Sequence, residues 1–215
     1  MDDNNELSAS VVRNLDVVEA ATRHLVAVEE RLLSVIMAYL DSECSDIGWR
    51  LAGRDVDADN SGFDDNSFFP PSWASEDDGE GADFLFEICA EGPACGDLNW
   101  ITCLTRAMGN DGETVIQANF QNFLGKNKNK KFLARPDIRN AIAALNFENN
   151  GINVQRRFAV DRELLAKAFD DDDGQDINAG FRAALMPIGQ ELREIANKFK
   201  EWDALRAKAV ALANE

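Results

Sequence analysis

The chain has 215 residues, 45% hydrophobic and 28% charged, which suits one sizeable globular core and at most two domains. Its 39 Asp and Glu against 22 Lys and Arg leave a net charge of −17. That balance argues against direct binding to duplex DNA or RNA and against anionic membranes, both of which call for a basic face.

The opening, MDDNNELSAS, has no positive region followed by an apolar run, and no stretch nears the roughly 18 uninterrupted apolar residues of a membrane span. Cys44, Cys89, Cys95 and Cys103 form no CxxC pair. A reduced, cytoplasmic compartment is therefore expected.

The first predicted element is a helix from about Ser8 to Asp41. Val18, Ala21, Leu25, Val28, Leu32, Val35 and Tyr39 recur in steps of three and four and so share one face. Arg23, Glu29, Glu30 and Arg31 form a solvated flank, and His24, the single histidine, reads as a flank residue and not as a catalytic base.

The stretch RDVDADNSGFDDNSFF (Arg54 to Phe69) follows and begins like a calcium loop. Asp57, Asp59, Ser61, Gly62 and Asp65 occupy the right offsets, but Phe68 stands where a bidentate Glu must close the shell, and FFPPSW cannot start a helix at once. No metal is expected there.

DFLFEICAE (Asp83 to Glu91) alternates as a strand should. LNWITCLTRAMG and TVIQANFQNF read as two more strands joined by a turn at Asn110, Asp111 and Gly112. KNKNKKFLARPDIR carries Lys126, Lys128, Lys130, Lys131, Arg135 and Arg139 and reads as a solvated basic loop, with self-association against a neighbour's acidic segment as the alternative. A short helix around Pro136, a fourth strand from Ile152 to Val160, and a helix capped by Asp161 come next.

DDDDGQDIN fails as a calcium loop, with Phe169 and Gly180 at its first and last ligand positions; Asp173 or Asp176 should cap the final helical region. Pro187 fits the first turn of that region's helix, or a kink within one starting near Asn178. Ile188, Leu192, Ile195, Phe199, Trp202, Leu205 and Ala209 give it a narrow apolar stripe.

Strands clustered between long helices, without regular βα alternation, predict an α+β fold. It would be a mostly antiparallel sheet of about four strands, with long N- and C-terminal amphipathic helices packed on it. One domain spanning 1–215 is expected, with an acidic loop insertion at 54–82.

Function is read from charge. No Lys or Arg occurs between Asp55 and Thr105, a span with thirteen acids. Asp55, Asp57, Asp59, Asp64, Asp65, Glu76, Asp77 and Asp78, interleaved with Phe63, Phe68, Phe69 and Trp73, suggest a partner-binding surface with aromatic anchors and a charged rim. The competing account has the rings tucked under the loop to pin it down and the carboxylates merely solvated.

The expected partner is a basic protein, such as a nucleic-acid-processing enzyme whose groove is blocked or a cationic toxin that is neutralised. Phosphate mimicry by an inhibitor or immunity-type protein is the concrete form of that reading. No P-loop, dinucleotide fingerprint or nucleophile elbow occurs, and no catalytic residue or cofactor is assigned. The alternatives are a divalent-metal nuclease or hydrolase using Asp83, Glu87 or Asp97, and a structural subunit that dimerises through its long helices.

Overall fold

The computed structural model describes residues 8, 10–52, 66–74, 82, 84–91, 100–105 and 113–215. The first amphipathic stripe forms α1 (Leu15–Asp46), which ends where Gly48 adopts a left-handed φ of 71°. Only the second half of its stripe is buried, at Leu32, Val35, Ile36, Tyr39, Leu40 and Cys44.

The sheet is antiparallel throughout, as expected, with six strands in place of about four. In chain order these are β1 (Arg50–Ala52), β2 (Asn66–Phe69), β3 (Leu85–Glu91), β4 (Glu113–Asn119), β5 (Glu148–Asn149) and β6 (Val154–Phe158), arranged 1-2-3-4-6-5. β1, β2 and β5 are two to four residues long, too short for alternation to declare them. β2 lies inside the stretch 54–82, so that stretch is not one loop but passes through the sheet.

A second correction concerns LNWITCLT. It holds a short helix, α2 (Trp100–Thr105), and β4 pairs with β3 from Leu85↔Asn119 to Glu91↔Glu113. Thr105 turns its hydroxyl back onto the Ile101 carbonyl at 2.9 Å, satisfying inside the helix a side chain that favours strands. The predicted turn at Asn110–Gly112 lies outside the described residues.

Cross-strand register decides which side chains meet. Phe68, Phe86, Ala118 and Val154 line up across β2, β3, β4 and β6, beside Ile88 and Ile116. All six are buried on the face that the helices cover.

The basic strip is also not a loop. It forms α3 (Gln121–Ala134), kinked at Gly125 where φ is 70°, followed by α4 (Pro136–Ala144). Lys128 donates to the carbonyls of Leu212 and Ala213 at 3.2 and 2.8 Å, where a cation suits a helix C-terminus.

α5 (Arg162–Asp170) starts at Asp161, whose carboxylate accepts from the Leu164 N–H at 2.9 Å, as predicted. Asp161→Ala should cost about 1 kcal/mol, the usual loss on removing such a cap, read as a shift of the urea midpoint at constant slope. α6 (Ala179–Asn197) is capped by Asn178, which accepts from Phe181 N–H at 2.8 Å, and not by Asp173 or Asp176. Asp172 instead takes the guanidinium fork of Arg31, with contacts of 2.8 and 2.7 Å, tying this turn to α1.

Pro187 sits inside α6, and a break at Lys198 separates that helix from α7 (Phe199–Ala213). Gly189 permits the close approach of α6 to α1: a Cβ there would meet the Tyr39 hydroxyl at 2.5 Å. The Glu43–Arg193 ion pair closes the same contact. No described helix is long and apolar enough to cross a membrane.

Candidate functional site

The aromatic half of the predicted surface is in the core. Phe68 and Phe69 are 0% exposed and Trp73 is 1% exposed. The Trp73 indole N–H donates to Asp203 on α7 at 2.9 Å, its ring lies 4.8 Å from Phe84, and Arg206 sits over it at 5.8 Å. These rings pin the segment to the domain, as the competing account holds, and present no anchor to a partner. Phe63, Asp55, Asp57, Asp59, Asp64, Asp65, Glu76, Asp77 and Asp78 lie outside the described residues.

Where those acids are tethered follows from the strands. Ala52 pairs with Ser67, Asn66 with Ile88, and Glu91 with Glu113. The chain therefore leaves and rejoins the sheet at one and the same end for 53–65, for 92–99 and for 106–112. The stretch holding Glu76, Asp77 and Asp78 departs from the opposite end, where an antiparallel bridge joins Ala74 to Ala82.

The predicted surface is thus tethered at two places, on either side of the segment Phe68–Trp73, whose three aromatic rings are buried. The thirteen acids from Asp55 to Thr105 have no base among them, which leaves 26 acids against 22 bases in the rest of the chain. Most of the charge excess is delivered by segments hung on β1 to β4.

The face of the sheet turned away from the aromatic core is mixed: Val115 and Phe69 are buried on it beside a row of polar residues. Register sets Ser67, Glu87, Gln117, Gln155 and Glu148 in one row from β2 to β5. Glu87 accepts from the Asn119 amide through both oxygens at 3.2 and 3.1 Å. Arg157 donates to both oxygens of Glu148 at 2.7 Å. Alternation made the polarity of single strands visible in sequence, but the row exists only through register, which no motif encodes.

This face can accept and donate hydrogen bonds. Among the described residues no group of three His, Cys, Asp or Glu is placed to hold a metal ion. Glu87 stands between Ser67 and Gln117 in the row, while Asp83 and Asp97 lie outside the described residues. His24 is on the exposed turns of α1. Cys44 and Cys103 are buried, and burial pushes the Cys44 thiol up to about 12, far from a reactive thiolate.

Of the basic strip, Lys126, Lys130, Lys131, Arg135 and Arg139 are exposed. No family model matches this chain, and neither does a curated protein or a solved structure.

Proposed function

We propose that this chain is a binding protein that engages a basic protein partner through the acidic segments hung on the sheet, with Asp55, Asp57, Asp59, Asp64 and Asp65 as the principal contacts. The observation that supports the reading is the concentration of charge: thirteen acids between Asp55 and Thr105 without one base, eleven of them in segments that join ordered elements and Glu87 and Glu91 on β3 itself. Carboxylates crowded without counter-ions repel one another, and a complementary basic surface relieves that repulsion while steering the encounter. A nucleic-acid-processing enzyme or a cationic toxin offers such a surface, and occupying it would inhibit the partner. The buried Phe68, Phe69 and Trp73 act here as the brace and not as contacts.

Affinity capture from source-cell lysate, eluted along a salt gradient, tests the reading beside a variant with all five aspartates changed to Asn. A basic protein that leaves the wild-type bait as salt rises, and is missing from the variant's eluate, is the expected result. The same proteins on both baits would sink it.

A further inference from the structure

Between α4 and the β5–β6 hairpin lies a cleft of about 420 Å³, lined by Arg139, Ala143, Phe147, Asn149, Asn150 and Gly151. Its volume is in the range of small-molecule sites. Ala143 and Phe147 give it an apolar wall, and no carboxylate lines it.

The amides of the cleft are sorted by their own hydrogen bonds. The Asn149 side-chain oxygen accepts from the Gly151 N–H at 2.9 Å. The Asn150 side-chain oxygen accepts from the N–H groups of Ile152 and Asn153 at 2.9 and 2.7 Å. Backbone donors thus fix which end of each amide is the oxygen, and the groups with hydrogens left to give are the two NH2 ends. That of Asn149 gives one hydrogen to the Leu133 carbonyl at 2.9 Å and keeps the other, and that of Asn150 reaches Gln155 only at 3.5 Å.

Arg139 adds the charge. Its Nε donates to the same Leu133 carbonyl at 3.4 Å, which steadies the guanidinium, and among the described residues no carboxylate takes its two Nη groups. The acids of these elements are engaged elsewhere. Glu148 accepts from Arg157 through both oxygens at 2.7 Å, and Asp137 holds Arg135 and Lys208. A second cleft, of about 370 Å³, also holds two arginines but lacks this character: Asp172 occupies Arg31, and Asp176 stands in the wall beside Arg182.

We propose that the Arg139 cleft binds a small organic anion, a carboxylate or phosphate head group on a compact apolar body. The head group takes the Nη edge of Arg139, whose planar fork matches either chemistry, together with the spare amide hydrogens. The body lies against Phe147 and Ala143. Exposed Lys126, Lys130 and Lys131 on α3 supply a local positive field, in a chain whose net charge of −17 otherwise turns anions away. The site shares no residue with the acidic segments, so it stands or falls separately from the binding-protein reading.

Titration of the isotope-labelled full chain with benzoate, phenyl phosphate and neutral benzamide, followed by amide chemical shifts, tests this. Both anions, or one of them, should give saturable shifts centred on 149–151 and Arg139, and the tighter one identifies the head group. Benzamide should not. Arg139→Gln should raise the Kd at least about 10-fold, the usual loss of a charge-assisted contact. Ala143→Phe, at an exposed position that leaves the arginine untouched, should fill the cleft and weaken binding as much.

Lys130→Gln/Lys131→Gln should change the Kd by no more than about twofold. A loss there as large as that of Arg139→Gln would mean diffuse attraction to the basic strip and would overturn the proposal. Benzamide binding as tightly as benzoate, binding that survives Ala143→Phe, or shifts that never saturate with either anion would do the same.

Discussion

Phe86→Ala is expected to destabilise the fold by about 3–5 kcal/mol, a large share of the roughly 5–15 kcal/mol that holds a domain of this kind together. Phe86 is fully buried near the start of β3, and its ring is where the layers of the fold meet. It stacks on Phe68 of β2 at 5.6 Å and on Trp49, at the exit from α1, at 5.8 Å. Phe84 meets it edge-on at 5.8 Å, and Trp202 of α7 does so at 5.0 Å.

Truncation removes the ring's own burial and leaves a hole bounded by rigid aromatic neighbours anchored in different elements, which cannot all move inward. Urea unfolding should show a lower midpoint at an unchanged slope, with loss of near-ultraviolet dichroism from the surrounding tryptophans. A loss under about 1 kcal/mol would show that these rings relax freely and that the brace beneath the acidic segments is not rigid.

Long periodic signals survived the passage from sequence to structure, and short ones did not. The stripes of α1 and of α6 with α7 repeat often enough to fix helix type and buried face, and Leu192, Ile195, Trp202 and Leu205 are buried as their spacing requires. α2 was misread because Trp100, Ile101, Thr102 and Thr105 favour strands and six residues give too little length to reveal a helical period. α3 was misread because only Leu124, Phe132 and Leu133 of it are buried apolar residues, while Lys and Asn fill the remainder and Gly125 interrupts it.

The candidate site divides the same way. Charge concentration is a property of composition and needs no fold. Whether Phe68, Phe69 and Trp73 face solvent depends on tertiary partners such as Asp203, 130 residues away from Trp73 in sequence, and no local pattern carries that. The bare start of α1 was equally hidden. Its stripe reads as one uniform helix face, and only the end of the packed body divides it into a covered half and an open half.

The second large effect is expected at Arg156, and its size depends on pH. Arg156 projects from β6 onto the helix-covered face, opposite Ile116, and contacts Glu191 and Glu194 of α6, the latter at 2.8 Å. Its guanidinium also lies over the Phe147 ring at 4.9 Å. The Arg156 and Glu191 side chains are 15% and 20% exposed, so the pair is largely desolvated. Burial raises the Glu191 carboxyl above its ordinary 4.5 even with Arg156 beside it.

A carboxyl whose pKa is higher in the folded state binds more protons there than in the unfolded chain. Stability is then lost as pH rises from the unfolded value through the folded one. Arg156→Met keeps an apolar stem on Phe147 but removes the cation, which drives the Glu191 carboxyl higher still and widens that window. The variant should be little weaker than wild type near pH 4 and weaker by about 2–3 kcal/mol at pH 7, somewhat below the loss for breaking a fully buried pair.

Adding Glu191→Leu should return most of the loss at pH 7, because no uncompensated charge then remains buried. Urea titrations of the three proteins at both pH values decide the matter. A deficit that is the same at both would place the role of Arg156 in its packing on Phe147 and not in its charge.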